Sequence, residues 1–164
     1  MSKKGIDEIY WEVQQKWLKD LIKRECHGGD AVVFGEDEHS VYLGKSYFLV
    51  RIPKRFFLFN TEQLQRNYPT GFRSYDSASK LFADTAEQAT LFAKDSLIRR
   101  EQNGRKYVVL DCDGVKYNVD EKFMALVKDF PTDCYKVSGK ENTAVVLGMY
   151  GENFALVLPC KMKD

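Results

Sequence analysis

The sequence predicts an α+β fold, and three observations carry that prediction. An amphipathic helical pattern opens the chain, strand-like runs between polar turns fill most of the rest, and one hairpin-like unit occurs twice. Residues 41–54 read VYLGKSYFLVRIPK and residues 145–161 read VVLGMYGENFALVLPCK. Each has Val-x-Leu-Gly, a polar turn, and an aromatic-led apolar run that stops at a proline with a lysine close behind.

Residues 6–25 form the clearest predicted helix. Ile6, Ile9, Tyr10, Val13, Trp17, Leu21 and Ile22 recur at steps of three and four and give one apolar face. Glu8 and Glu12 precede Lys16, Lys19 and Lys23, an order that suits the helix dipole and a Glu12–Lys16 pair. The sequence His27-Gly28-Gly29-Asp30 ends the helix. Strands follow over 31–35, 40–43 and 47–52, with a first turn at residues 35–38, and FFLF at 56–59 extends the last strand or covers a core. Thr61 is the expected cap of a short helix that reaches Tyr68, before Pro69-Thr70-Gly71. The Ser-, Ala- and Asp-rich stretch up to residue 88 has Leu81 and Phe82 as anchors and reads as a surface excursion or insertion.

Beyond it, 89–118 reads as β structure. Asn103-Gly104 and Asp113-Gly114 are two-residue hairpin signals, because both pairs tolerate the positive φ that tight hairpin turns require. Asn118 or Asp120 is the candidate cap of a helix over 121–129, with Phe123, Leu126, Val127 and Phe130 apolar and Pro131 as its stop. The last strands are expected at 134–138, 143–149 and 153–158. Order as well as wording therefore repeats: helix, polar break, strand, Val-x-Leu-Gly, aromatic strand, proline. Gly44 to Pro53 is nine positions and Gly148 to Pro159 is eleven, the excess being assigned to the second turn.

Bulk properties narrow the class. The 164 residues suit one domain, and 44% hydrophobic, 13% aromatic and 30% charged residues describe an ordered protein. A net charge of +1 gives no global pull toward nucleic acid or membrane, so such a role needs a local basic face. The four cysteines, Cys26, Cys112, Cys134 and Cys160, lack zinc or redox spacing, and His27 and His39 are the only histidines. Reduced thiols, no signal-peptide core in MSKKGIDEIYWEV and no run of membrane-spanning length set the expectation of a cytoplasmic protein with no membrane partner, metal or cofactor.

Tempting chemistry is weak. Gly44-Lys45-Ser46 looks like the end of a phosphate loop, but that loop needs a glycine at position 39, where His39 stands, and a helix after it. Asp111 and Asp113 offer two carboxylates to a divalent ion, with Asp84 and Asp95 as further ligands, but they flank a turn that Asp-Gly favours for its backbone alone. No cysteine is marked as an activated partner of His39. Basic residues gather in three places: Lys16, Lys19, Lys23 and Arg24; Arg51, Lys54 and Arg55; and Arg99, Arg100, Arg105 and Lys106. Each is either a solvated face or a phosphate-backbone contact.

Residues 117–163 resemble the end of a bacterial sliding clamp, the beta subunit of DNA polymerase III. The resemblance rests on YNVDEKFMALVKDF, the strands around YKVSG and AVVLG, and FALVLPCKM, whose Leu158-Pro159-Cys160-Lys161-Met162 falls on that family's terminal motif. Only the proline is identical there. VYLGKSYFLVRIP resembles the family's Thr-Asp-Gly-His-Arg-Leu region, with Gly44 on its glycine and Leu43 in place of its aspartate.

The resemblance implies a DNA-clamp-like domain over 1–164. Its two helix-plus-antiparallel-strand halves, about 6–54 and 89–163, are related by an internal pseudo-twofold, with 60–88 as an insertion. It also implies a non-catalytic role in DNA replication or a mobile element, with homo-oligomerisation. Lys16, Lys19 and Lys23 would then face DNA. Gly44, Tyr47, Leu158, Pro159, Cys160 and Met162 would form a pocket for polymerase or clamp-loader peptides. The alternatives are a protein-interaction module of another α+β fold and a small metal-dependent hydrolase using Asp111 and Asp113.

Overall fold

The computed structural model describes residues 5–45, 48–125, 132–139, 143–149 and 151–160. The fold is mixed α+β and divides into two compact units, Gly5–Phe82 and the chain from Ala83 onward.

The first unit opens with α1 (Ile6–His27), whose Asp7 and Glu8 sit in the first turn and Arg24 and His27 in the last, as the helix dipole favours. Gly28 ends it at φ 81°, its N–H donating to the Arg24 carbonyl at 2.9 Å. Strands β1 (Val32–Glu36), β2 (Ser40–Lys45) and β3 (Phe48–Pro53) form an antiparallel meander, as expected from the alternating runs. Helix α1 packs on β1 and β2 through Ile9, Tyr10, Val13, Trp17 and Leu21, all buried. Full burial of side chains of this size is worth about 1.5–3 kcal/mol each. The Trp17 indole N–H donates to the Val33 carbonyl at 3.2 Å, and its ring meets Phe72 edge-on at 5.9 Å. Ile22, expected on the apolar face, is 37% exposed.

Residues 56–59 do not extend β3. A single 3-10 turn, Lys54–Phe56, lets Phe56 meet Tyr10 at 5.1 Å and Phe57 meet Phe34 at 5.6 Å, so the run covers the core.

The stretch read as an excursion is folded into this unit. It contains α2 (Thr61–Asn67), β4 (Phe72–Ser74) and the start of α3 (Ala78–Gln88). Strand β4 pairs parallel to β1, so the sheet order is β4-β1-β2-β3. Asn60, not Thr61, caps α2: its side chain accepts from the Gln63 N–H at 3.0 Å. Ala78 and Phe82 are fully buried, and Ala78 approaches so closely that a Cβ on Gly35 would lie 2.6 Å from its methyl. Phe82 also lies under the Arg51 guanidinium, 5.1 Å from the ring centre.

The second unit contains β5 (Leu91–Gln102), β6 (Arg105–Cys112), β7 (Val115–Asp120), α4 (Glu121–Ala125), β8 (Thr132–Val137), β9 (Val145–Met149) and β10 (Glu152–Val157). Both hairpin turns form as read: Asn103 and Gly104 take φ 53° and 78°, and Asp113 and Gly114 take 50° and 88°. The order β10-β9-β8-β5-β6-β7 is antiparallel throughout. Its two ends meet where the Cys160 N–H donates to the Asn118 carbonyl at 2.7 Å. Residues paired directly across strands share a face, which puts Ala93, Val108, Leu110, Val119, Val137, Val145, Leu147 and Val157 on one buried face.

Each unit therefore contains a helix followed by a three-stranded antiparallel meander: α1-β1-β2-β3 and α4-β8-β9-β10. The two hairpins correspond in register, since Gly44 pairs with Leu49 and Gly148 with Asn153, five positions on in both. Their turns are therefore equal in length. The two extra residues of the second copy are Phe154, at a bulge between Asn153 and Ala155, and Leu158, after the paired strand.

Candidate functional site

The three lysines read as DNA-facing share one exposed stripe of α1. Lys16, Lys19 and Lys23 are separated by three and four residues, so they rise over about 10 Å along one face. Trp17 and Leu21 hold the opposite face in the core. Among the described residues none of the three is in an ion pair. The nearby Asp20 carboxylate lies 3.8 Å from Lys45 Nζ instead. Thus Lys45, the cation of the apparent Gly-Lys-Ser loop, ends a strand and pairs with the first helix.

Most members of the other basic clusters are engaged internally, whereas Arg105 and Lys106 are exposed. Arg51 lies over Phe82, Arg55 lies over the Phe56 ring at 4.9 Å, and Lys54 is 3.5 Å from Glu36. Arg99 holds Asp95 in a bidentate pair, both distances 2.9 Å, and that pair holds the Asp95 carboxyl below its ordinary range. Arg100 donates to the Asn118 side chain at 3.3 Å.

The residues read as a peptide pocket are distributed over the chain. Gly44 belongs to the first unit and Leu158, Pro159 and Cys160 to the second, while Tyr47 and Met162 lie outside the described residues. Gly44 does not serve a turn. It sits within β2, where a Cβ would lie 2.6 Å from the Phe48 carbonyl oxygen and 3.0 Å from a Leu49 methyl. Its glycine is required by close approach. Leu158 is 37% exposed, and the Cys160 thiol is pushed up by burial and by Asp120.

One polar cluster, missed in the sequence, has the composition of a catalytic group. Asp37 Oδ2 accepts from the Tyr42 hydroxyl at 2.7 Å and the Ser79 hydroxyl at 2.9 Å, while Oδ1 accepts from the His39 and Ser40 amides at 2.9 and 2.8 Å. Partial burial raises the Asp37 pKa, but these four hydrogen bonds outweigh it and bring the carboxyl to about 2. Burial, with the adjacent Asp37 charge, pushes the Tyr42 hydroxyl up. A carboxylate that acidic is a poor base, and among the described residues neither hydroxyl has a hydrogen bond to another base. The cluster therefore ties the β1–β2 turn to α3. Only the Asp37-x-His39-Ser40 spacing signals its local half; Ser79 is 42 positions away.

The paired aspartates also serve structure. Asp111 accepts from Gly114 N–H at 2.9 Å and from Lys116 Nζ at 2.5 Å, and the lysine holds its carboxyl low. Asp113 occupies the positive-φ turn position. Among the described residues no three His, Cys, Asp or Glu side chains converge as a metal site. Cys112 is buried and its thiol is pushed up by burial and by Asp113 and Asp111. An open polar groove of about 640 Å³ lies in the first unit, lined by Phe34, Glu36, Asn60, Glu62, Ser74 and Asp76 among others. Within it Glu36 is paired to Lys54. No described helix is long and apolar enough to cross a membrane.

No protein-family model, curated protein sequence or solved structure matches the chain.

Proposed function

We propose that the protein is a non-catalytic, sliding-clamp-like binder of duplex DNA that contacts the phosphate backbone through α1. The observation that carries this reading is the exposed Lys16–Lys19–Lys23 stripe, opposite a face fixed in the core. Its rise of about 10 Å suits successive phosphates, which position a protein on DNA without reading sequence. The helix-plus-meander order in both units supports the clamp-like part, in which the halves are related by a pseudo-twofold and the chain self-associates. The engaged carboxylates and raised thiols support a role without catalysis. Polymerase or clamp-loader peptides are the protein partners implied by the terminal Leu158-Pro159-Cys160 segment.

The test is duplex binding by fluorescence anisotropy at several salt concentrations, with Lys16→Gln/Lys19→Gln/Lys23→Gln beside the wild type. Three phosphate contacts contribute about 2.7 to the slope of log K against log salt, and the triple variant should lose that contribution. An unchanged slope removes α1 as the DNA face. Light scattering that shows only monomer across the binding range removes the ring-forming role.

A second reading, a protein-interaction module, is favoured by one feature of β5. Leu97 is 82% exposed and takes φ 66°, held there by its N–H to Asp95 Oδ1 at 2.8 Å. A leucine kept in a left-handed conformation at the surface is a pre-set apolar anchor.

A further inference from the structure

Strand β5 places an aromatic ring where its alternation calls for a polar side chain. Ala93 faces the buried interior of the second unit, so Phe92 and Lys94 on either side of it face outward. Phe92 is 70% exposed. Directly across the strands it pairs with Lys136 of β8, and Lys94 follows two residues along on the same face. Lys94 pairs with Asp111, which pairs in turn with Lys116. Because Lys116 already neutralises Asp111, the carboxylate leaves the surrounding positive field largely intact.

From this register we infer that the outer face of β8 and β5 binds single-stranded nucleic acid, with Phe92 as the platform on which a base stacks. Strand spacing sets the scale: Lys136 stands about 4.8 Å from Phe92 across the ladder, and Lys94 about 6.8 Å along it. A base on the ring thus has one cation beside it across the ladder and a second farther along the strand, within reach of the phosphates that flank the base. Lysine donates in any direction and reads no base, so the surface is tolerant of sequence. Paired bases in a duplex hide their faces in the stack, and a phenyl ring gains nothing from them. The surface therefore selects single strands, unlike the α1 stripe, and does not depend on it.

The test uses the full chain and a fluorescent thymidine oligonucleotide of about 20 residues, beside a duplex of equal length, at about 50 mM salt. Phe92→Ala should weaken oligonucleotide binding about tenfold or more, Phe92→Trp should preserve it, and duplex binding should not change. Lys94→Gln with Lys136→Gln should lower the salt slope on the single strand by about 1.4. All three positions lie at the surface of the sheet, and circular dichroism checks that each variant folds. Equal oligonucleotide binding by wild type and Phe92→Ala overturns the inference. So does Phe92-dependent binding to phosphatidylserine vesicles without Phe92-dependent binding to the oligonucleotide, because the ring would then serve a lipid surface. Loss of duplex binding in the α1 triple variant, with Phe92-dependent single-strand binding retained, supports the inference and separates it from the duplex reading.

Discussion

Replacing Gln14 with leucine probes what joins α1 to the aromatic run after β3. Gln14 is fully buried on a face that otherwise consists of Ile9, Tyr10, Val13, Trp17 and Leu21. Its amide N–H groups donate to the Tyr10 carbonyl at 3.0 Å and the Phe56 carbonyl at 2.7 Å, and its carbonyl accepts from Leu58 N–H at 2.9 Å. A leucine of similar volume fills the space but orphans the Phe56 carbonyl and the Leu58 N–H. Leaving two part-buried backbone groups unpaired costs up to about 1–3 kcal/mol each, and the added apolar burial returns about 1–2 kcal/mol. The expected net loss is about 2 kcal/mol.

Both tryptophans, Trp11 and Trp17, lie in the first unit, so their fluorescence in urea follows that unit's unfolding. With a slope of about 2 kcal/mol per molar, the midpoint should fall by about 1 M. Gln14→Glu sharpens the test. Its protonated acid can still donate to Phe56, whereas its carboxylate would face two carbonyl oxygens. Burial and that repulsion raise the folded pKa of the new carboxyl, so the variant is most stable below about pH 4.3 and weakens as pH rises through the folded value. A Gln14→Leu midpoint within about 0.2 M of wild type would refute this account of the junction, as would a Gln14→Glu variant whose stability follows the wild-type pH profile.

Asp37→Asn should destabilise the first unit by about 1 kcal/mol near neutral pH, a figure discounted for solvent screening at this half-buried site. Because the folded pKa is depressed to about 2, the Asp37 contribution is present above about pH 3.8 and lost as pH falls through 2, so the variant and wild type should converge in acid. Gly35→Ala should cost about 2 kcal/mol by urea unfolding, since the new methyl would lie 2.6 Å from Ala78 Cβ and 2.7 Å from the Tyr75 carbonyl. A loss under about 0.5 kcal/mol would mean that α3 gives way without strain.

The legible parts of the sequence were those with local causes. The α1 periodicity, the β1–β3 meander and the two turns at Asn103-Gly104 and Asp113-Gly114 each follow from a few neighbouring residues. The stretch 60–88 was illegible because its anchors are distant. Strand β4 is only three residues long and exists by pairing with β1, and α3 is fixed by Phe82 against Tyr42 and by Ser79 on Asp37. Gln14 stands out only as a polar residue on the apolar stripe, and the partners that explain it beyond its own helix are more than 40 positions away. The lysine stripe was visible as spacing on a helix. Phe92 was not, because its meaning depends on the register of β5 with β8, which the sequence does not print.

The repeated hairpin illustrates how far wording can carry function. Gly44 and Gly148 occupy the same register, five positions before their cross-strand partners, and the copies differ by a bulge and one residue after the strand. At Gly44 the requirement is steric, since the opposing Phe48 carbonyl leaves no room for a Cβ. A glycine is therefore what this local geometry demands at position 44, whatever the protein does. The surfaces proposed for binding lie elsewhere. They are the solvent side of α1 and the outer side of β5, where no packing constraint selects lysine or phenylalanine. Residues that the fold does not need are the ones through which a binding function can be read.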